Sequence, residues 1–132
     1  MDLLESIRQR LKGLFPEQLG MQLASASPEH VTATLEVRPA LCTVGDILHG
    51  GAIMAFADTL GAIATVLNLP SGASTATVES KTNFFRPAPV GSVVTGRTTA
   101  LNKGKRTMTW ETRITDAEDR LVAIVTQTQM VL

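Results

Sequence analysis

Apolar and polar positions along this chain follow two periods, and the switches between them mark its elements. Leu3, Leu4, Ile7, Leu11 and Leu14 recur at helical spacing, with Asp2 placed to cap a short N-terminal helix within residues 1–15. Gly13 and Pro16 are expected to stop it. Val31 to Val37 alternates apolar and polar without error, the pattern of a half-buried strand. Pro39 to Gly45 reads as loop. From Gly50 to Leu67 the residues are apolar on nearly every helical face, so a long helix buried all round is expected, ended by Asn68, Pro70 and Gly72. Four strand-like runs follow: Ser74 to Phe85, Ser92 to Leu101, Thr107 to Thr115 and Leu121 to Leu132. Arg86-Pro87-Ala88-Pro89, Asn102-Lys103-Gly104-Lys105 and Asp116 to Asp119 separate them. In the third run Met108, Trp110, Thr112 and Ile114 share one face, where Met108 and Trp110 should fill a core.

Helix, strand, long helix and four consecutive strands point to an α+β fold, one antiparallel sheet with a central helix lying across it. A single open sheet leaves edges. The apolar stretch Leu121 to Val125 is expected at such an edge, and therefore to seek a second copy of the chain. A homodimer is the physical expectation.

At 132 residues the chain is one domain, residues 1–132, with no repeats and no linker. Its 12 basic and 12 acidic residues cancel, which leaves no electrostatic footprint for nucleic acid. The single Cys42 excludes an internal disulfide and suits a reducing cytoplasm. The N-terminal Met-Asp-Leu-Leu-Glu lacks the layout of a signal peptide. A membrane span over residues 50–69 would carry Asp58 at its centre, at a cost on the order of 2.5–3.5 kcal/mol, without flanking Lys or Arg. A core helix and no membrane is the better reading.

Asp58 is the only formal charge between Gly50 and Val78. A buried carboxylate is costly unless paired or facing a polar cavity, so this residue is a candidate for work other than folding. The helix that carries it starts at His49-Gly50-Gly51. Helix N-termini present unsatisfied N–H groups that attract anions and developing oxyanions, and glycines let a ligand approach them. The plainer role for the glycines is tight passage into the helix. Asp58 lies eight residues past Gly50, roughly 12 Å along the axis. One carbonyl cannot touch both, so joint action on a bond requires two subunits with antiparallel copies of this helix.

His49-Gly50-Gly51-Ala52-Ile53-Met54-Ala55-Phe56-Ala57-Asp58, followed by Thr77-Val78-Glu79-Ser80-Lys81-Thr82-Asn83-Phe84-Phe85-Arg86-Pro87, resembles the hotdog-fold acyl-CoA thioesterases of the PaaI-like, phenylacetate-degradation type. The resemblance runs from about Leu41 to the C-terminus. It implies a sheet wrapped around a long helix, edge-to-edge homodimers that pair into tetramers, and hydrolysis of an acyl-CoA without metal or organic cofactor, coenzyme A being part of the substrate. By resemblance, Asp58 is the catalytic carboxylate, acting as general base or nucleophile, and the Gly50 N–H polarises the thioester oxygen. Thr77 positions the water. His49 shapes the site rather than moving protons, and with Gly51 and Thr43 it contacts substrate. Arg86, Lys103, Lys105 and Arg106 are the candidate partners of the CoA phosphates. Family members often place Asn six residues before the histidine and Gly three before it, where this chain has Thr43 and Asp46.

Other chemistries find less support. Cys42, His49 and Asp58 have the letters of a triad without any sequence sign of its geometry. No G-x-S-x-G occurs. His30, Cys42 and His49 are too few and too scattered for zinc. Glu79 and Lys81, on one strand face, are expected to pair with each other. The alternative function is a non-catalytic acyl-CoA or acyl-ligand binding protein on the same scaffold. A dehydratase of hydroxyacyl thioesters is weaker still.

Overall fold

In the computed structural model, which describes residues 1–132, Asp2 caps the first helix, α1 (Leu3–Leu11), its Oδ1 accepting the Glu5 N–H at 2.8 Å. Gly13, at φ 77°, ends that turn. Pro16 does more than stop it. It lies in the first turn of a second helix, α2 (Phe15–Leu19), where the missing N–H costs nothing and the fixed φ favours helix. A strand not anticipated from the sequence follows, β1 (Gln22–Ala26); only Leu23 of its five residues is fully buried, too little for a periodic signal. β2 (His30–Glu36) is the alternating stretch, with Val31, Ala33 and Leu35 buried.

The expected loop contains a 3-10 turn (Pro39–Leu41) and a miniature hairpin, β3 (Cys42–Thr43) with β4 (Ile47–Leu48). Then comes α3 (Gly50–Val66), followed by β5 (Thr75–Phe84), β6 (Val93–Lys103), β7 (Thr107–Thr115) and β8 (Leu121–Val131). β6 extends into the expected turn because a bulge between Ala100 and Asn102 absorbs one residue and keeps the pairing going.

The main sheet is antiparallel, in the order β1-β2-β6-β7-β8-β5, and α3 lies across one face. Phe56, Ala57, Leu60 and Ala64 point into the sheet, all fully buried. Helix and sheet pack closely at Gly96, where a Cβ would stand 2.8 Å from a Leu60 methyl. Met108, Trp110, Thr112 and Ile114 share the buried face as their alternation requires. Trp110 Nε1 donates to Thr65 Oγ1 at 2.9 Å, and that hydroxyl donates to the Gly61 carbonyl.

Three expectations are corrected. Leu121 to Val125 is not an edge. β8 is hydrogen-bonded on both sides, and its apolar residues lie beneath the helix instead of facing a free edge; the edges are β1 and β5. α3 is not buried all round: Met54 and Val66 are exposed and Asp58 is half-buried, so the helix keeps an uncovered apolar stripe. Glu79 and Lys81 form no ion pair. Their cross-strand neighbours are Thr128 and Thr126, so neither meets an opposite charge on the adjacent strand.

Candidate active site

Four N–H groups at the start of α3 need partners from outside the helix. The Ala52 and Ile53 amides donate to the His49 carbonyl at 2.9 and 3.2 Å. The Gly51 amide donates to His49 Nδ1 at 2.7 Å, so the histidine caps the helix with its own ring. Nδ1 therefore carries a lone pair, and the proton of the neutral ring resides on Nε2. Only the Gly50 N–H meets no acceptor. Gly51 leaves no room for a side chain, whereas a side chain at Gly50 needs the exposed Phe84 ring to give by a few tenths of an ångström. A Cβ on Gly51 would lie 2.9 Å from His49 Nδ1, and one on Gly50 would press the Phe84 ring at 3.2 Å.

The exposed N–H opens on a cavity of about 510 Å³ lined by Thr43, Ile47, Gly50, Ile53, Phe84 and Arg86, among others. Asp46, in the preceding loop, has φ 55°, a left-handed conformation that Asp accepts with modest strain and that glycine would adopt freely. The departure from the family pattern at this position thus keeps the backbone path.

Asp58 faces elsewhere. It lines a separate cavity of about 450 Å³ whose apolar wall includes Ile7, Leu11, Phe15, Ala62, Ile63 and Val66. Its Oδ1 accepts the Thr77 hydroxyl at 2.7 Å, the contact that joins the middle of the helix to the edge strand β5. No cation lies within 4 Å of it, and Arg10 lines the same cavity. The carboxylate is therefore held by a neutral donor and remains available as a base or nucleophile.

Behind this pair stand two residues that sequence reasoning missed. Gln129 Nε2 donates to Thr77 Oγ1 at 2.6 Å and to Gln127 Oε1 at 2.7 Å, and Gln127 Nε2 donates to the Ala57 carbonyl at 2.9 Å. Both glutamines are fully buried. One sign of them was available: Ala123, Val125, Gln127 and Gln129 alternate on one face of β8, so two amides continue an apolar row.

The other expected residues divide. Thr43 and Arg86 share the Gly50 cavity, and His49 and Gly51 form its capped rim. Lys103 and Lys105 line a third cavity past the end of α3, with Asn68 and Pro70, next to Arg106 in sequence. Lys103 Nζ donates to the Pro28 carbonyl at 2.9 Å. Within one chain, then, the helix start, Asp58 and the Lys103–Arg106 turn occupy three places along a helix about 25 Å long. No triad forms: the Cys42 thiol points to the Arg38 carbonyl and His49 Nδ1 is occupied by Gly51.

Residues 45–123 match the Thioesterase superfamily, more than half of the chain. The chain belongs to this family of hotdog-fold thioester hydrolases. Among relatives, "Putative esterase Rv1847" of Mycobacterium tuberculosis is 34% identical over 112 residues, covering 83% of this chain and 79% of that protein. The crystal structure of thioesterase HI1161 from Haemophilus influenzae superposes with a TM-score of 0.93 at 27% identity, over 100% of this chain and 92% of the other. A mutant of the phenylacetic acid degradation protein PaaI from Thermus thermophilus gives a TM-score of 0.81 at 28% identity, over 88% and 96%. This is a hotdog thioesterase fold of the PaaI-like type. No helix is long and apolar enough to cross a membrane.

Proposed function

We propose that this thioesterase hydrolyses an acyl-CoA to a carboxylic acid and coenzyme A, in a site assembled from two protomers. The supporting observation is the separation of the two reactive groups. The Gly50 N–H, alone without an acceptor in the first turn of α3, and Asp58, the single acid of α3, open on different cavities of the same chain. A second, antiparallel copy of α3 brings Gly50 of one chain to Asp58 of the other, and the exposed stripe with Met54 and Val66 is the surface such a copy would cover. The β5 edge, with its unpaired backbone, offers the parallel route to a continuous sheet.

In this site the Gly50 N–H donates to the thioester carbonyl oxygen and stabilises the oxyanion that develops there. Asp58 takes a proton from water as the water oxygen bonds to the carbonyl carbon. The C–S bond then breaks, the proton passes from Asp58 to the departing sulfur, and the acid and CoA thiol are released. Asp58 acting directly as nucleophile reaches the same products through an anhydride that water opens. The apolar cavity beside Asp58 suits an apolar acyl group.

Incubation with a panel of aliphatic and aryl acyl-CoAs, followed by thiol release, is the test. Asp58→Asn should lower turnover by about 10²-fold or more, the usual scale for a general base. Equal rates in both proteins would remove Asp58 from the mechanism.

A further inference from the structure

Hydrogen bonds have direction, and the buried chain behind Asp58 can be oriented from its two ends. At one end is the Ala57 carbonyl, which cannot donate. Gln127 must therefore turn its NH₂ toward it, at 2.9 Å, and so present Oε1 to Gln129. That oxygen needs a donor, which forces the Gln129 NH₂ toward it at 2.7 Å and leaves its Oε1 facing Thr75 Oγ1 at 3.0 Å, whose single proton it shares with the Met130 carbonyl at 2.9 Å. The second amide proton of Gln129 goes to Thr77 Oγ1 at 2.6 Å. The Thr77 oxygen is then an acceptor on that side, and its single proton points at Asp58 Oδ1.

Space for this chain is cut into the helix. A Cβ on Gly61 would stand 2.3 Å from the Gln127 amide, so only glycine lets Gln127 reach the Ala57 carbonyl. Flipping any one amide would face two acceptors or two donors across a fully buried contact and leave polar groups unsatisfied. The chain has one orientation.

We propose that Gln129, itself fixed by Gln127, is a positioning residue that locks the Thr77 hydroxyl as a donor to Asp58. The lock leaves the second carboxylate oxygen to meet the reacting water or carbonyl. Asp58 sits on the helix and Thr77 on an edge strand, so their mutual geometry depends on a rigid link through β8. This inference rests on the reading of Asp58 as the catalytic carboxylate.

A double-mutant cycle tests it. Gln129→Met keeps size and apolar packing but removes both donors, freeing the Thr77 hydroxyl to rotate. Thr77→Val removes the hydroxyl. Each single variant should lose about tenfold in kcat with KM little changed, since Gln129 touches no substrate. The combined variant should lose no more than Thr77→Val alone, because Gln129 acts only through Thr77. A merely structural role for Gln129 would give losses that multiply, and that result would overturn the proposal. Where Gln129→Met does not fold, the side-chain exchange of the wild-type protein decides the proposal by itself.

A second readout needs no turnover. The Gln129 side-chain amide protons should exchange with solvent at least 10²-fold more slowly than those of exposed Gln9, and Thr77→Val should speed the Gln129 exchange. Gln129 protons exchanging as fast as those of Gln9 would sink the lock even if the enzyme is active. Wild-type rates in Asp58→Asn, with Gln129 still protected, would instead sink the assigned role of Asp58 and leave the buried chain standing.

Discussion

The first turn of α3 and its middle, eight residues on, present opposite chemistry and are built by opposite means. The donor at the first turn is backbone. It exists because His49, two residues before Gly51, satisfies the neighbouring amide and leaves Gly50 over. The acid in the middle is a side chain whose aim depends on Thr77, Gln129, Gln127 and Gly61, residues drawn from three elements and up to 71 positions away. A donor made of main chain needs only local sequence. A carboxylate held in one orientation needs the tertiary fold.

The sharpest way to break this contrast is to delete the donor without disturbing the helix. Gly50→Pro removes the N–H at the helix position where proline is best tolerated, while Gly50→Ala adds the same Cβ against Phe84 but keeps the N–H. Thiol-release assays should show Gly50→Pro about 10²–10³-fold below Gly50→Ala in kcat, the range for loss of one oxyanion donor. Mixing Asp58→Asn protomers with Gly50→Pro protomers should recover activity, because one of the two shared sites in the hybrid then has both groups intact. Hybrids as dead as their parents would rule out a site shared between protomers.

The next effect falls on the acid's support. Gly61→Ala puts a methyl into the Gln127 amide and should cost about 1–3 kcal/mol of stability, read as a lower midpoint in chemical denaturation, with a fall in kcat that follows the displaced glutamines. A smaller change is expected at the first turn. His49→Ala should cost about 1 kcal/mol, the scale of one lost N-cap, measured by thermal melting. Its kcat should fall less than that of Gly50→Pro, since the donor survives. A His49→Ala loss as large as that of Gly50→Pro would mean the ring itself handles substrate or protons.

Much of the fold could be read from the chain because its signals are local. Asp2 and the heptad-like leucines specify α1, the unbroken alternation from Val31 to Val37 specifies β2, and Met108, Trp110, Thr112 and Ile114 mark the buried face of β7. Pro16 carries two signals at once, because proline both ends one helix and opens another. β1 left too faint a pattern. Leu121 to Val125 reads as an edge in the sequence because an apolar strand looks the same whether its backbone is paired on one side or two. In the site, His49, Gly50 and Asp58 stood out by spacing and by charge. Gln127 and Gln129 did not, since an amide in a strand declares neither its burial nor its partners.

Sequence alone determined that a long apolar helix begins at two glycines behind a histidine and carries one acid too far along its axis to share a carbonyl with its own first turn. Capping, periodicity and helical rise are properties of neighbours in the chain, so they needed no coordinates. Only the tertiary structure decided that β8 lies between β7 and β5, sliding two glutamines beneath Asp58 and joining it to Thr77. Strand order and register follow from how the whole sheet buries itself against the helix, a balance over many distant contacts that no single stretch of the chain contains.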